Sequence, residues 1–104
     1  MERIEKLKEL LKENPDDSFL QHALALEHIK IGEEAKAREL FENLLKKDEN
    51  YTGSYYHLAK LLEQNDEKEN ALKWYQLGML KAKESGDLHT YNELRAAYDE
   101  LNDL

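Results

Sequence analysis

The chain has no cysteine, one proline, four glycines and one tryptophan among its 104 residues. The lack of cysteine excludes disulfides and thiolate metal centres, and fits a reducing compartment. With so little proline and glycine, long stretches run without a helix breaker. No apolar run approaches the roughly 20 residues of a membrane span. The opening Met1-Glu2-Arg3-Ile4-Glu5-Lys6 is not followed by the apolar core of a signal peptide. The expectation is therefore a cytoplasmic, soluble protein. Basic residues are outnumbered 15 to 23, for a net charge of −8. Such a surface repels nucleic acid and anionic membranes, and favours basic or amphipathic protein partners.

Catalytic and cofactor motifs are missing too. There is no His-Glu-x-x-His, no phosphate loop and no glycine-rich dinucleotide turn. The three serines, Ser18, Ser54 and Ser85, all fall at or near expected helix boundaries. Capping suits Ser18, and turn chemistry suits the other two. Trp74 reads as a packing or interface residue, and His28 as a packed histidine. The expectation is a non-enzyme with no cofactor and no metal site, since no convergent set of reactive groups is visible.

What is present is helical spacing. Ile4, Leu7, Leu10 and Leu11 form one stripe, closed by Pro15. A second helix runs from the caps Asp16, Asp17 and Ser18 to about Ile31, where Gly32 stops it. A third carries Ala37, Leu40, Phe41, Leu44 and Leu45 inward, with acids at its start and Lys46-Lys47 at its end. The break Asn50-Tyr51-Thr52-Gly53 opens a fourth, with Tyr55, Leu58, Ala59, Leu61 and Leu62 inside. A fifth, longer helix carries Ala71, Leu72, Tyr75, Leu77, Met79 and Leu80. The sixth follows Ser85-Gly86-Asp87 and carries Leu88, Tyr91, Leu94, Tyr98 and Leu101. Six helices with short connections predict antiparallel neighbours and no sheet.

The stripes recur in step. Leu24-Ala25 returns as Leu58-Ala59, Ala37 as Ala71 and Phe41 as Tyr75, each after 34 residues and without a gap. The copies read Gln21-x2-Leu24-Ala25-x2-His28…Ala37-x3-Phe41 and Tyr55-x2-Leu58-Ala59-x2-Leu62…Ala71-x3-Tyr75. The pattern resembles the tetratricopeptide repeat, over essentially the whole chain. Pro15 stands where the closing proline of an earlier copy would fall. The last helix fits when shifted by two residues, as Tyr91-x2-Leu94-Arg95-x2-Tyr98, with arginine in the small-residue slot, as in a terminal cap. Two departures stand out: Glu49 and Lys83 replace closing prolines, and Gly78 stands where the first copy has Leu44.

The resemblance implies an all-α, right-handed superhelical stack of antiparallel helix pairs, an α-solenoid. It implies one domain over 1–104: a half repeat at 1–15, repeats at 18–50 and 52–85, and a capping helix at 87–103. In that family the first helices line a concave groove. The matching lining here is Phe19, His22, Leu26, Ile29 and Lys30, then Tyr56, His57, Lys60 and Glu63, then His89, Asn92 and Ala96. The implied function is to bind a peptide or segment of another protein, with Phe19 and Tyr56 as anchors. The alternative is a self-assembling unit, a homodimer paired through the groove or the terminal helices, where Ile4, Leu11, Tyr98, Leu101 and Leu104 are the residues to watch. One subgroup of the family grips chaperone tails by their terminal carboxylate; its lysine, arginine and asparagine are replaced here by His22, Leu26, His57, His89 and Glu93. The three histidines admit two readings: a weak anion site that strengthens in acid, or separate hydrated groups.

Overall fold

A computed structural model describes residues 2–103. Among them are six helices and no strand: α1 (Glu2–Glu13), α2 (Ser18–Lys30), α3 (Glu34–Lys47), α4 (Gly53–Gln64), α5 (Lys68–Glu84) and α6 (Leu88–Asn102). No helix among the described residues is long and apolar enough to cross a membrane. The helices gather into two compact units, Met1–Asp48 and Glu49–Leu104.

In the first unit α2 packs on both α1 and α3. Ile4 and Leu7 of α1 are buried with Ala23 and Leu24 of α2, and Leu11, Leu20 and Leu40 pack around them. Ala25, Ala37, Phe41 and Leu44 are fully buried. Each large apolar side chain withdrawn from water in this way stabilises the fold by about 1.5–3 kcal/mol before entropy is counted. Asp17, not Ser18, is the N-cap of α2: its carboxylate accepts the Leu20 amide at 3.0 Å. Ser18 is freed for a different bond, donating its hydroxyl to Asp48 at 2.7 Å. Lys47 reaches Asp16 at 2.9 Å, tying the end of α3 to the start of α2.

The second unit repeats these devices. α5 packs on α4 and α6, and α4 also touches α6. Thr52, 34 residues after Ser18, donates to Asp87 at 3.2 Å. Lys81, 34 residues after Lys47, meets Glu49 at 2.9 Å. Tyr55 spans the same join from inside, donating its hydroxyl to the Glu49 carbonyl at 2.7 Å. Leu58 and Ala59 are as completely buried as Ala25, and Leu24 is nearly so. Ser54 is not a turn residue; it lies fully buried in the first turn of α4.

Three turns share one geometry. After α2, Gly32 has φ 80°, its amide bonds to Ile29 and the next amide, of Glu33, bonds to His28. The same pair of bonds joins Asp66 to Glu63 and Glu67 to Leu62, and then Gly86 to Lys83 and Asp87 to Ala82. This is the Schellman closure, which needs one residue in the left-handed region. Asp66 meets that need at φ 59° without being glycine, as short polar residues do.

The apolar stripes differ from expectation on α5 and α6. The buried edge of α5 is Ala71, Tyr75, Gly78 and Ala82, whereas Leu77 and Leu80 are exposed. Leu10 of α1 and Leu88 of α6 are exposed too. Ala71, Gly78 and Ala82 let the neighbouring helices approach that edge closely, Tyr75 fills the space between them, and Leu77 and Leu80 are left outside. A Cβ on Gly78 would lie 2.7 and 2.8 Å from Cβ and Cγ of Tyr55, and 2.9 Å from Leu94 Cδ1. Two of these atoms sit next to the α4 backbone and have little room to yield. Gly78→Ala would gain about 1 kcal/mol in helix propensity, but overpacking costs about 1–3 kcal/mol. A net loss of up to about 2 kcal/mol is expected in urea denaturation.

Candidate functional site

Unit 1 brings four of the expected groove residues together. Phe19, His22, Leu26 and Lys30 of α2 line a hollow of about 260 Å³ with Arg3, Ala23 and Glu27. Helical spacing puts them on one face, and α1 supplies the rim. Phe19 stands 67% exposed, a large apolar ring held in water. His22 and Leu26 are half-buried, as is Ile29. The His22 ring meets the buried Phe41 ring edge-on at 5.6 Å. The rim charges are paired internally, Glu27 bonding to Arg3 at 3.2 Å and to Lys30 at 3.1 Å, which leaves the three groups with one net positive charge.

In unit 2 the expected residues lie on α4 and α6. Tyr56 is at the edge of exposure, with its ring edge-on to Tyr75 at 6.4 Å and to His57 at 5.8 Å. The Tyr56–Tyr75 contact stands 34 residues on from the His22–Phe41 contact, so one ring pair recurs in each unit. Lys60 lies over the Tyr56 ring, 5.5 Å from its centre, and 3.4 Å from Glu63. Glu63 also accepts the Tyr75 hydroxyl in a short hydrogen bond. Burial, followed by that bond, pushes the Tyr75 hydroxyl far above the ordinary tyrosine range, so it stays a donor at any physiological pH. On α6, His89, Asn92 and Ala96 are exposed.

Sequence reading missed the Tyr75–Glu63 bond. Its signal was available by comparing the copies: Ile29 and Phe41 of the first become Glu63 and Tyr75 of the second, an apolar pair exchanged for a hydrogen-bonded one.

The histidines of unit 2 do not suit an anion. Burial lowers the His57 pKa, and the nearby Glu93 only partly opposes it. His89 is 3.6 Å from the same Glu93. A carboxylate between two imidazoles disfavours a second one. His28 is buried in the first unit with Nδ1 2.9 Å from Glu33, whose carboxyl that bond holds below the usual range. Among the described residues no group of three His, Cys, Asp or Glu side chains is arranged to hold a metal ion.

Paired helices closed by identical turns, with matching ring contacts and lysine bridges one period apart, define a helical-repeat protein. No family model matches the chain, and no curated protein matches it. Solved structures do. A tetratricopeptide repeat domain protein from Salinibacter ruber, solved by solution NMR, is 39% identical, with a TM-score of 0.83 over 86% of this chain and 91% of that one. The crystal structure of a tetratricopeptide repeat domain protein from the same organism gives 39% identity and a TM-score of 0.81, covering 85% of this chain and 98% of that one. The chain belongs to the tetratricopeptide repeat family. Membership supports a general role in protein–protein interaction.

Two measurements follow. Glu63→Ile should destabilise by about 1–3 kcal/mol, since it strands the buried Tyr75 hydroxyl, and Tyr75→Phe by about 0.5–1.5 kcal/mol, since Glu63 keeps Lys60 and partial contact with water; the double variant places the first copy's residues at both positions and recovers about 1–2 kcal/mol of the summed loss. A double-mutant cycle in urea reads this coupling. The depressed His57 pKa means the unfolded chain takes up the proton first as pH falls. Its contribution is complete above the ordinary imidazole pKa of about 6.5 and is lost as pH drops toward the folded value. Denaturation midpoints between pH 5 and 8 should therefore fall less steeply on the acid side for His57→Ala, which places the first copy's Ala23 at this position.

Proposed function

We propose that the protein holds a segment of a partner protein against the first-helix faces of its repeats: the α2 face in unit 1 and the α4–α6 face in unit 2. The observation that carries this reading is the hollow lined by Phe19, His22, Leu26 and Lys30, with Phe19 exposed at its mouth. An aromatic ring kept in water beside a hollow has hydrophobic area to bury against a guest, as interface anchors do. In unit 2, Tyr56 offers a second ring beside His57, Lys60 and Glu63, with His89 and Asn92 on the neighbouring helix. The acidic surface favours a basic or amphipathic segment. Holding a partner requires no cofactor.

A second reading is pairing between copies. The exposed Leu77, Leu80 and Leu88 of unit 2 favour it. The terminal helices contribute less than expected: Ile4 and Leu101 are buried within their own units, and Leu11 and Tyr98 are half-buried. Leu104 lies outside the described residues. A mass from light scattering that rises with concentration, and falls back with Leu80→Lys, would mark this reading.

For the leading reading, the partner is captured from the source cell, its bound segment mapped by cross-linking, and that segment titrated against the protein. Phe19→Ala and Tyr56→Ala should each weaken binding by roughly tenfold or more, the loss expected of an anchor worth at least about 1.4 kcal/mol. Unchanged affinity in both variants places the contact on another face.

A further inference from the structure

Lys60 occupies an unusual position. Its ammonium sits over the Tyr56 ring and against the carboxylate of Glu63. The Glu63 side chain is only 21% exposed, while that of Lys60 is 36% exposed. The Glu63 oxygen that faces Lys60 also takes the Tyr75 hydroxyl. The ring and the carboxylate are thus fixed by the buried Tyr75 beneath them, whereas the lysine is a flexible arm on top. Two further carboxylates, Glu93 and Glu100 of α6, lie close enough to act on His57 and Tyr75 respectively. An aromatic face and an anchored carboxylate, with acidic neighbours, form a seat for a cation, and the chain fills it with its own.

The fit favours a guanidinium over an ammonium. A guanidinium stacks flat on tyrosine while offering paired N–H donors to a carboxylate, and it is more weakly hydrated. Lysine meets the ring and the acid only as a point charge. Its ion pair is the partly exposed kind that contributes little, so moving it aside is easy.

We infer that Tyr56 and Glu63 seat an arginine side chain of the partner segment, and that Lys60 is a built-in occupant which the arginine displaces. This rests on the α4–α6 face being the binding face. It adds the partner's chemistry: an arginine-bearing basic segment, read in the second unit.

The probe is N-acetylarginine amide, titrated into the labelled protein and followed by NMR, with N-acetylcitrulline amide as the uncharged isostere. Arginine amide should shift the resonances of Tyr56, Lys60 and Glu63 saturably, and citrulline amide should not. Lys60→Met keeps the stem and vacates the charge, and should tighten arginine amide by about fivefold. Glu63→Gln keeps an acceptor for Tyr75, and should abolish the saturable shift while leaving the thermal midpoint close to that of the parent. Equal responses to arginine and citrulline, or no response at Tyr56 and Glu63, overturn the seat even if no variant folds, because both are read on the parent protein. Weaker arginine binding by a folded Lys60→Met protein overturns Lys60 as a displaced occupant. The two ideas fail separately. An arginine amide that ignores α4, while the mapped segment is still lost by Tyr56→Ala, removes the seat and keeps the face. Saturable arginine binding with a segment indifferent to Phe19→Ala and Tyr56→Ala does the reverse.

Discussion

Close approach between helix backbones is the constraint on which this structure depends. Ala25, Ala37, Ala59 and Ala71 are fully buried, and at Gly78 even one added carbon meets Tyr55 and Leu94 below 3 Å. Where small residues let two helices nearly touch, the large side chains beside them interdigitate: Phe41 and Leu44 in one unit, Tyr55, Leu62 and Tyr75 in the other. Dense packing on one side of a helix leaves the opposite side with no internal work. Phe19 stands on such a side, 67% exposed, and Tyr56 at the margin of one, its ring still edge-on to Tyr75.

The polar connections follow the same register. A hydroxyl at the start of each first helix, Ser18 or Thr52, reaches an aspartate near the end of the second helix, Asp48 or just beyond it, Asp87. Lys47 and Lys81 repeat a bridge back to acids that precede the first helix. Each bridge alone, screened by water, adds little to stability. Their value lies in placing positive charge where the helix C-terminus is negative, at the same point of both copies. At one point the copies diverge at two positions joined by a hydrogen bond, Glu63 and Tyr75. Ile29 and Phe41 carry no side-chain hydroxyl or carboxylate to satisfy, whereas the buried Tyr75 hydroxyl of the second copy bonds to Glu63, so the tyrosine stands poorly without the acid.

Much of this was legible in the amino-acid order. The recurrence of Leu-Ala and of alanine before an aromatic marked the helix pairs, because buried small residues and rings obey a fixed spacing. Gly32, Pro15 and Asp87 marked ends, because each restricts the backbone or caps it. Side-chain bonding was less legible. Ser18 and Asp17 are both good caps, and only the geometry of the first turn chose the aspartate. Ser54 looked like a turn residue because Gly53 precedes it, yet the helix begins at that glycine. Leu77 and Leu80 looked internal by hydrophobicity, but α5 buries its alanine and glycine edge. Helical spacing gathered Phe19, His22, Leu26 and Lys30 on one face, since they share a single helix. The seat around Glu63 needs a residue from α5 beneath α4, and no spacing within one helix announces that.

The three Schellman turns carry a kinetic meaning. Each joins its helices with only three residues, at 31–33, 65–67 and 85–87. Partners that meet across so short a hinge surrender little chain entropy in finding one another. Native contacts are then drawn mostly from nearby stretches of sequence, the condition under which chains reach their folded state in about microseconds to milliseconds. A protein assembled this way spends little time with its apolar edges bare to its neighbours.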